Sequence, residues 1–223
     1  MRTEKKRWLF WGENFWETVG IAAAGALGIG LVQAGKGVFT GNAGEWLLLI
    51  LQLYPYYLFL AGVFVLMMVI IGYFQLMISV MISMNATRRS VIRELWLNIA
   101  AVNLAYILIA ALIWKLVPGD VSEGGFQLLP LLGGGTFMLS AVFLLFGGVA
   151  VRWGKVGKVI FVILSMSAGA LIGFTVAVNP DIAELVQTLP GNSFGWILGL
   201  GVIFYLAAGF FVRKMTARME VRV

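Results

Sequence analysis

The side chains that carry out most covalent and proton-transfer chemistry are missing from this sequence. It has no cysteine and no histidine. Thiolate and imidazole metal sites are therefore excluded, and so is a serine nucleophile activated by histidine. The lack of cysteine also leaves the redox compartment unread. The ionic side chains are 16 Lys and Arg and 10 Asp and Glu, only 12% of 223 residues. None falls in the middle of a long apolar run. An ionisable residue inside a membrane is costly and marks proton relays or ion coupling. A proton pump or carboxylate-driven antiporter needs one, whereas sodium held by backbone carbonyls and hydroxyls does not. A membrane enzyme ranks last for want of acid–base groups. Gly133-Gly134-Gly135 follows no strand and precedes no Gly-Lys-Ser/Thr, so it is not a phosphate loop. No catalytic residue, metal site or resident cofactor is assigned to this chain.

Two sets of polar residues remain. The first is the charged island Ser83-Met84-Asn85-Ala86-Thr87-Arg88-Arg89-Ser90-Val91-Ile92-Arg93-Glu94, with three arginines in six positions. Thr87 is placed to cap a helical turn running from Ser90 to Leu95. The island mixes small, basic and apolar residues and joins two long apolar segments, so motion of the turn passes into both. It reads as a docking surface for a cytoplasmic partner, with Asn85, Thr87, Arg88, Arg89, Val91 and Arg93 as contact residues. Topology alone also places arginines on a cytoplasmic loop. The second set lies inside apolar runs. Gln75, Ser79 and Ser83 recur every four residues, and Asn98, Asn103 and Tyr106 follow in the next run. Such residues make interhelical hydrogen bonds of about 0.6 kcal/mol each. The sharper alternative makes Gln75, Ser79, Asn98, Asn103 and Tyr106 the lining of a translocation path.

The elements that must position these groups are membrane helices. The chain is 61% hydrophobic, with a mean hydropathy of +0.97. About 20 apolar residues of helix cross a bilayer core of roughly 30 Å. Runs such as Leu58 to Val80 do not alternate, which excludes a transmembrane barrel. The fold expected is all-α and polytopic, with six transmembrane helices at about 19–39, 56–83, 95–117, 128–151, 159–178 and 194–212. Residues 1–16 are basic with Trp8, Trp11, Phe15 and Trp16 at helical spacing, as in an interfacial helix. The six-helix domain covers 17–213, and a basic tail covers 214–223.

Residues 46–87 carry no charge over 42 positions. Pro55 among Tyr54, Tyr56 and Tyr57 marks a boundary there, so 46–54 is assigned to a short outer segment. Gly20, Ala24 and Gly28 in the first span, and Ser165, Gly169 and Gly173 in the fifth, form small-residue ridges that admit a neighbouring helix. The segment Asp181 to Leu189 is amphipathic and stops at Pro190-Gly191. With six spans and both termini cytoplasmic, 14 of the 16 basic residues fall inside, and the other two are Lys36 and Lys115. The net charge of +6 thus reflects cytoplasmic loops and not nucleic-acid binding.

The turn from Ser83 to Arg93 resembles the cytoplasmic turn after the second span in six-span permease subunits of ABC-2 type ABC transporters. Lys5 to Trp16 is similar to that family's interfacial helix, and Asp181 to Leu189 to its short outer helix. The resemblance implies that the 84–94 turn is a coupling helix seated on a separate cytoplasmic ATPase subunit, which binds ATP and Mg. Arg88, Arg89 and Arg93 would pair with acidic residues there. It implies a second permease subunit, identical or a sister, cargo moved outward, and a multi-pass location in a bacterial cell membrane. Two alternatives differ in class. A substrate-binding subunit of an uptake transporter would dock through Gly20 to Ala26 and bind a small ligand tightly by itself. A non-transporting assembly or sensor protein would have neither ATPase nor cargo.

Overall fold

The computed structural model describes residues 2–35, 43–74, 88–117, 119–178 and 193–217. They form five helices: α1 (Arg2–Gly35), α2 (Ala43–Gly72), α3 (Arg88–Leu116), α4 (Asp120–Val178) and α5 (Ser193–Ala217). No strand occurs among the described residues. Each helix holds a segment long and apolar enough to cross a membrane: Gly12–Val32, Trp46–Gly72, Ser90–Leu116, Ser122–Ala150 and Gly195–Thr216. Hydrocarbon offers no partner for a backbone N–H or C=O, so an apolar chain satisfies those groups within helices. Large apolar side chains stand exposed around the bundle, among them Met68, Leu108, Trp196 and Phe210. That surface suits lipid and not water. The protein is an all-α, multi-pass membrane protein.

The packing contacts give each helix a direction. Gly25 meets Ala61 and Gly30 meets Ile50, so α1 and α2 are antiparallel. Gly62 meets Tyr106, while Gln52 bonds Trp114, so α2 and α3 are antiparallel. Asn103 bonds Ser140 and Ile107 covers Gly133, so α3 and the first half of α4 are antiparallel. The last pair breaks the alternation. Gly134 packs on Ile197 and Gly201, and Gly148 on Val212 and Met215, so α5 runs parallel to the first half of α4. This seam is backbone on backbone. A Cβ on Gly134 would lie 2.7 Å from the Ile197 carbonyl oxygen, and one on Gly201 would lie 2.5 Å from that of Gly134.

The parallel register constrains α4, which is 59 residues long. Ser193 begins α5 near the level of Pro130. A straight α4 would place Val178 about 72 Å further along the axis. The fifteen residue steps from Val178 to Ser193 reach at most about 54 Å. The axis of α4 therefore bends back beyond Gly148.

Several expected boundaries differ. The described parts of the expected interfacial helix (1–16) and first span (19–39), residues 2–16 and 19–35, are one helix, α1, because nothing between them interrupts the ladder. The outer segment 46–54 and the start of the second span are likewise one helix, with Pro55 inside it. Proline removes the N–H that would bond the Leu51 carbonyl, and one residue further on the Trp114 indole N–H donates to the Gln52 carbonyl at 2.9 Å, tying this turn to α3. The crossing segment of α2 among the described residues is Trp46–Gly72, so it begins before residue 56. Tyr73 and Phe74 continue it as a π turn, and 75–87 lie outside the described residues. The basic stretch 152–158 is helical, so it is no loop between separate fourth and fifth spans. Residues 214–217 of the basic tail belong to α5. The Asp181–Leu189 segment lies outside the described residues.

The ridge Gly20, Ala24 and Gly28 is also not the face α1 uses. All three are exposed, with open space beside both glycines. Ala22 and Ala26, fully buried, face the bundle instead. The only positive-φ glycine among those described, Gly119 (φ 148°), forms the tight turn between α3 and α4. Its carbonyl accepts the Ser122 and Glu123 N–H groups that start α4.

Candidate functional site

The register brings the described basic residues of the island and of the α5 end together at one end of the bundle. The end of α2 meets residue 147 of α4 through Phe74, and residues 148 and 212–215 meet beside it. The start of α3 joins the same end because Trp96 covers Gly209. Arg88, Arg89, Arg93, Arg213 and Lys214 therefore share it. The opposite end holds Gln52, Trp114, Lys115, Gly119 and Glu123.

Arg88 and Arg89 open α3, and their side chains lie outside the described ones. Asn85 and Thr87 fall before the described residues, so the Thr87 cap and their contacts do too. Val91, Ile92 and Leu95 are buried, at 1%, 3% and 0% exposure. Val91 thus anchors the start of α3 in the core, and its expected place on a docking surface is corrected. The spacing that buries it is the ordinary i, i+4 stripe with Leu95. Arg93, on another face, is exposed.

Arg93 meets a second basic residue from far along the chain. A cavity of about 220 Å³ lies between α3 and α5, lined by Ile92, Arg93, Trp96, Leu206, Gly209, Phe210 and Arg213. The Trp96 indole stacks on the Tyr205 ring, 6.1 Å between centroids. The Tyr205 hydroxyl donates to the Trp96 carbonyl and locks the pair. The indole N–H lies directly over Gly209, where any Cβ would collide with it. That N–H is buried and has no hydrogen-bond partner among the described residues. Among the described residues, neither guanidinium forms an ion pair.

The expected path residues are elsewhere. Gln75 and Ser79 lie outside the described residues. Asn103 is fully buried, and its Nδ2 donates to the Ile99 carbonyl at 2.9 Å and to Ser140 Oγ at 3.1 Å. Tyr106 is fully buried with its ring seated on Gly62. Asn98 is 4% exposed. The Asn98 and Asn103 side-chain oxygens and the Tyr106 hydroxyl have no partner among the described residues. Tyr106 fastens α3 to α2 and Asn103 fastens it to α4; all three are buried and do not line an open path within one chain. Sequence reasoning missed Trp96, Gly209 and Arg213, the first of which lies more than a hundred residues from the other two. The local signal was an aromatic residue three positions after Arg93, on the same helical face.

The chain matches no family model, no curated protein and no solved structure.

Proposed function

We propose that this chain is the membrane-spanning permease subunit of an ATP-driven transporter, an ABC-2 type exporter, energised by a separate ATPase docked on the 84–94 turn. One observation carries the reading. The arginine island continues directly into α3, whose first turns are pinned by Val91, Ile92 and Leu95 in the core. A push on the island is thereby delivered to a rigid helix that contacts α2, α4 and α5. An ordinary solvated loop has no such linkage.

Six crossings with both termini cytoplasmic complete the proposal. The parallel packing of α5 on the first half of α4 supports it, since two parallel crossings need a return crossing between them. The part of α4 beyond its bend, at 159–178, supplies that crossing. The gathering of basic residues at one end supports a cytoplasmic assignment for that end. With Asn98, Asn103 and Tyr106 buried among neighbours, cargo would pass along an interface with a second permease subunit and not through one chain. ATP and Mg would be bound by the partner; this chain would be no enzyme.

The test is co-purification in mild detergent from the native membrane, comparing wild type with Arg88→Glu/Arg89→Glu. The expected result is an ATPase that accompanies the wild type and is lost from a normally inserted variant. Absence of any ATPase under conditions that preserve other complexes overturns the proposal and favours an assembly or sensor protein.

A further inference from the structure

We infer that the cleft between α3 and α5 is a binding site for one anionic phospholipid, its phosphate held between Arg93 and Arg213. This rests on membrane placement alone and is independent of the transport proposal. Three features of the cleft point to the same ligand chemistry. Two arginines from different helices, Arg93 and Arg213, are among the residues that line one cavity. A guanidinium fork matches phosphate oxygens in a way a point charge does not. Neither has an acidic partner among the described residues, and Glu94, next in sequence to Arg93, is not part of the lining. The remaining walls are Ile92, Trp96, Leu206, Gly209 and Phe210. Leu206 and Phe210 are exposed at 48% and 71%, so the cleft opens sideways onto the bilayer and not only onto water.

The arrangement therefore has a charged end and an apolar side exit. A free inorganic anion uses the first and leaves the second bare. An acidic protein partner would approach from water and would not need the sideways opening. A phospholipid uses both: phosphate at the arginines, acyl chains running out past Phe210. The site is at the bundle end that carries the basic residues, and basic pockets between membrane helices on that side are suited to acidic head groups. A volume of about 220 Å³ is smaller than that of a whole-ligand pocket. It holds a head group with the chains left in the membrane.

The experiment uses the full chain, purified in a non-ionic detergent and stripped of lipid. Retention of added phosphatidylglycerol and phosphatidylcholine is read by native mass spectrometry, each titrated alone. Wild type is expected to hold one phosphatidylglycerol and to hold phosphatidylcholine far more weakly. Arg93→Gln/Arg213→Gln is expected to weaken phosphatidylglycerol about thirtyfold, the loss expected for two interfacial arginines. Arg218→Gln/Arg222→Gln, which removes as much charge from the tail, is expected to leave it unchanged. Equal retention of the two lipids by wild type overturns the inference without recourse to any variant. So does equal loss in the tail variant, which would mean general basicity. Displacement of the lipid by inorganic phosphate at matching concentration would mean a free-anion site and also overturns it.

Discussion

The two ends of the bundle solve the same packing problem differently. Each seats a tryptophan of α3 on a glycine of another helix: Trp114 on Gly125, and Trp96 on Gly209. At the Trp114 end the indole N–H reaches the Gln52 carbonyl, Tyr56 packs edge-on at 5.1 Å, and the Gly119 turn closes over Gln52. That end is closed. At the Trp96 end the indole N–H reaches nothing among the described residues, and the space beside it is a cleft with two arginines. A buried polar group without a partner costs about 1–3 kcal/mol. The Trp114 indole is thus bonded within the chain, whereas the Trp96 indole has no partner among the described residues and lies beside a cleft with two arginines.

Substitutions can break that contrast, and the largest effect should come from the seam holding both ends in register. Gly134→Val drives a branched side chain into the Ile197 backbone, which has no rotamer to change. The cost should reach or exceed the top of the ~1–3 kcal/mol range for overpacking, seen as loss of the monodisperse peak in size-exclusion chromatography. Next is Trp114→Ala, which empties the closed end and should cost about 3–5 kcal/mol, read as a lower melting temperature in detergent. Trp114→Phe keeps most of the ring and removes the indole hydrogen bond to the Gln52 carbonyl, so about 0.5–1.5 kcal/mol is expected. Trp96→Phe makes the same chemical change at the other end, where no hydrogen bond exists to lose. It should shift stability by less than about 1 kcal/mol and in either direction. A Trp96→Phe loss as large as that of Trp114→Phe would erase the contrast. Smallest of all is Gly28→Ala on the open face of α1, expected within about 0.5 kcal/mol.

The sequence made the class legible because hydropathy is a property of composition. Apolar runs in a chain of this length admit little but membrane helices, and all five helices carry crossing segments. Boundaries were harder to read. Pro55 reads as a break because proline removes a backbone bond. The indole that ties that turn to the bundle comes from position 114, and no local rule supplies it. The basic stretch at 152–158 reads as a loop because charge marks water, yet charge does not forbid helix. The small-residue rule found a ridge at Gly20, Ala24 and Gly28 but could not choose it over Ala22 and Ala26. Both sets are spaced four apart, and only the position of α2 decides between them. The cleft was hidden for the same reason. Its two arginines are 120 positions apart in sequence, and pairing over such a distance exists only once α5 has packed parallel to α4.

The decisive measurement is the side of the membrane on which each connection lies. The chain contains no cysteine, so single cysteines can be placed without a prior deletion and labelled with a membrane-impermeant maleimide before and after the membrane is opened. Six crossings require Ala86→Cys and Val156→Cys to react only from the cytoplasmic side, and Thr40→Cys and Val186→Cys only from outside. If Val186→Cys reacts on the same side as Val156→Cys, there is no return crossing beyond the bend in α4. If Ala86→Cys reacts from outside, the arginine island cannot meet a cytoplasmic ATPase, and the proposed function fails with it.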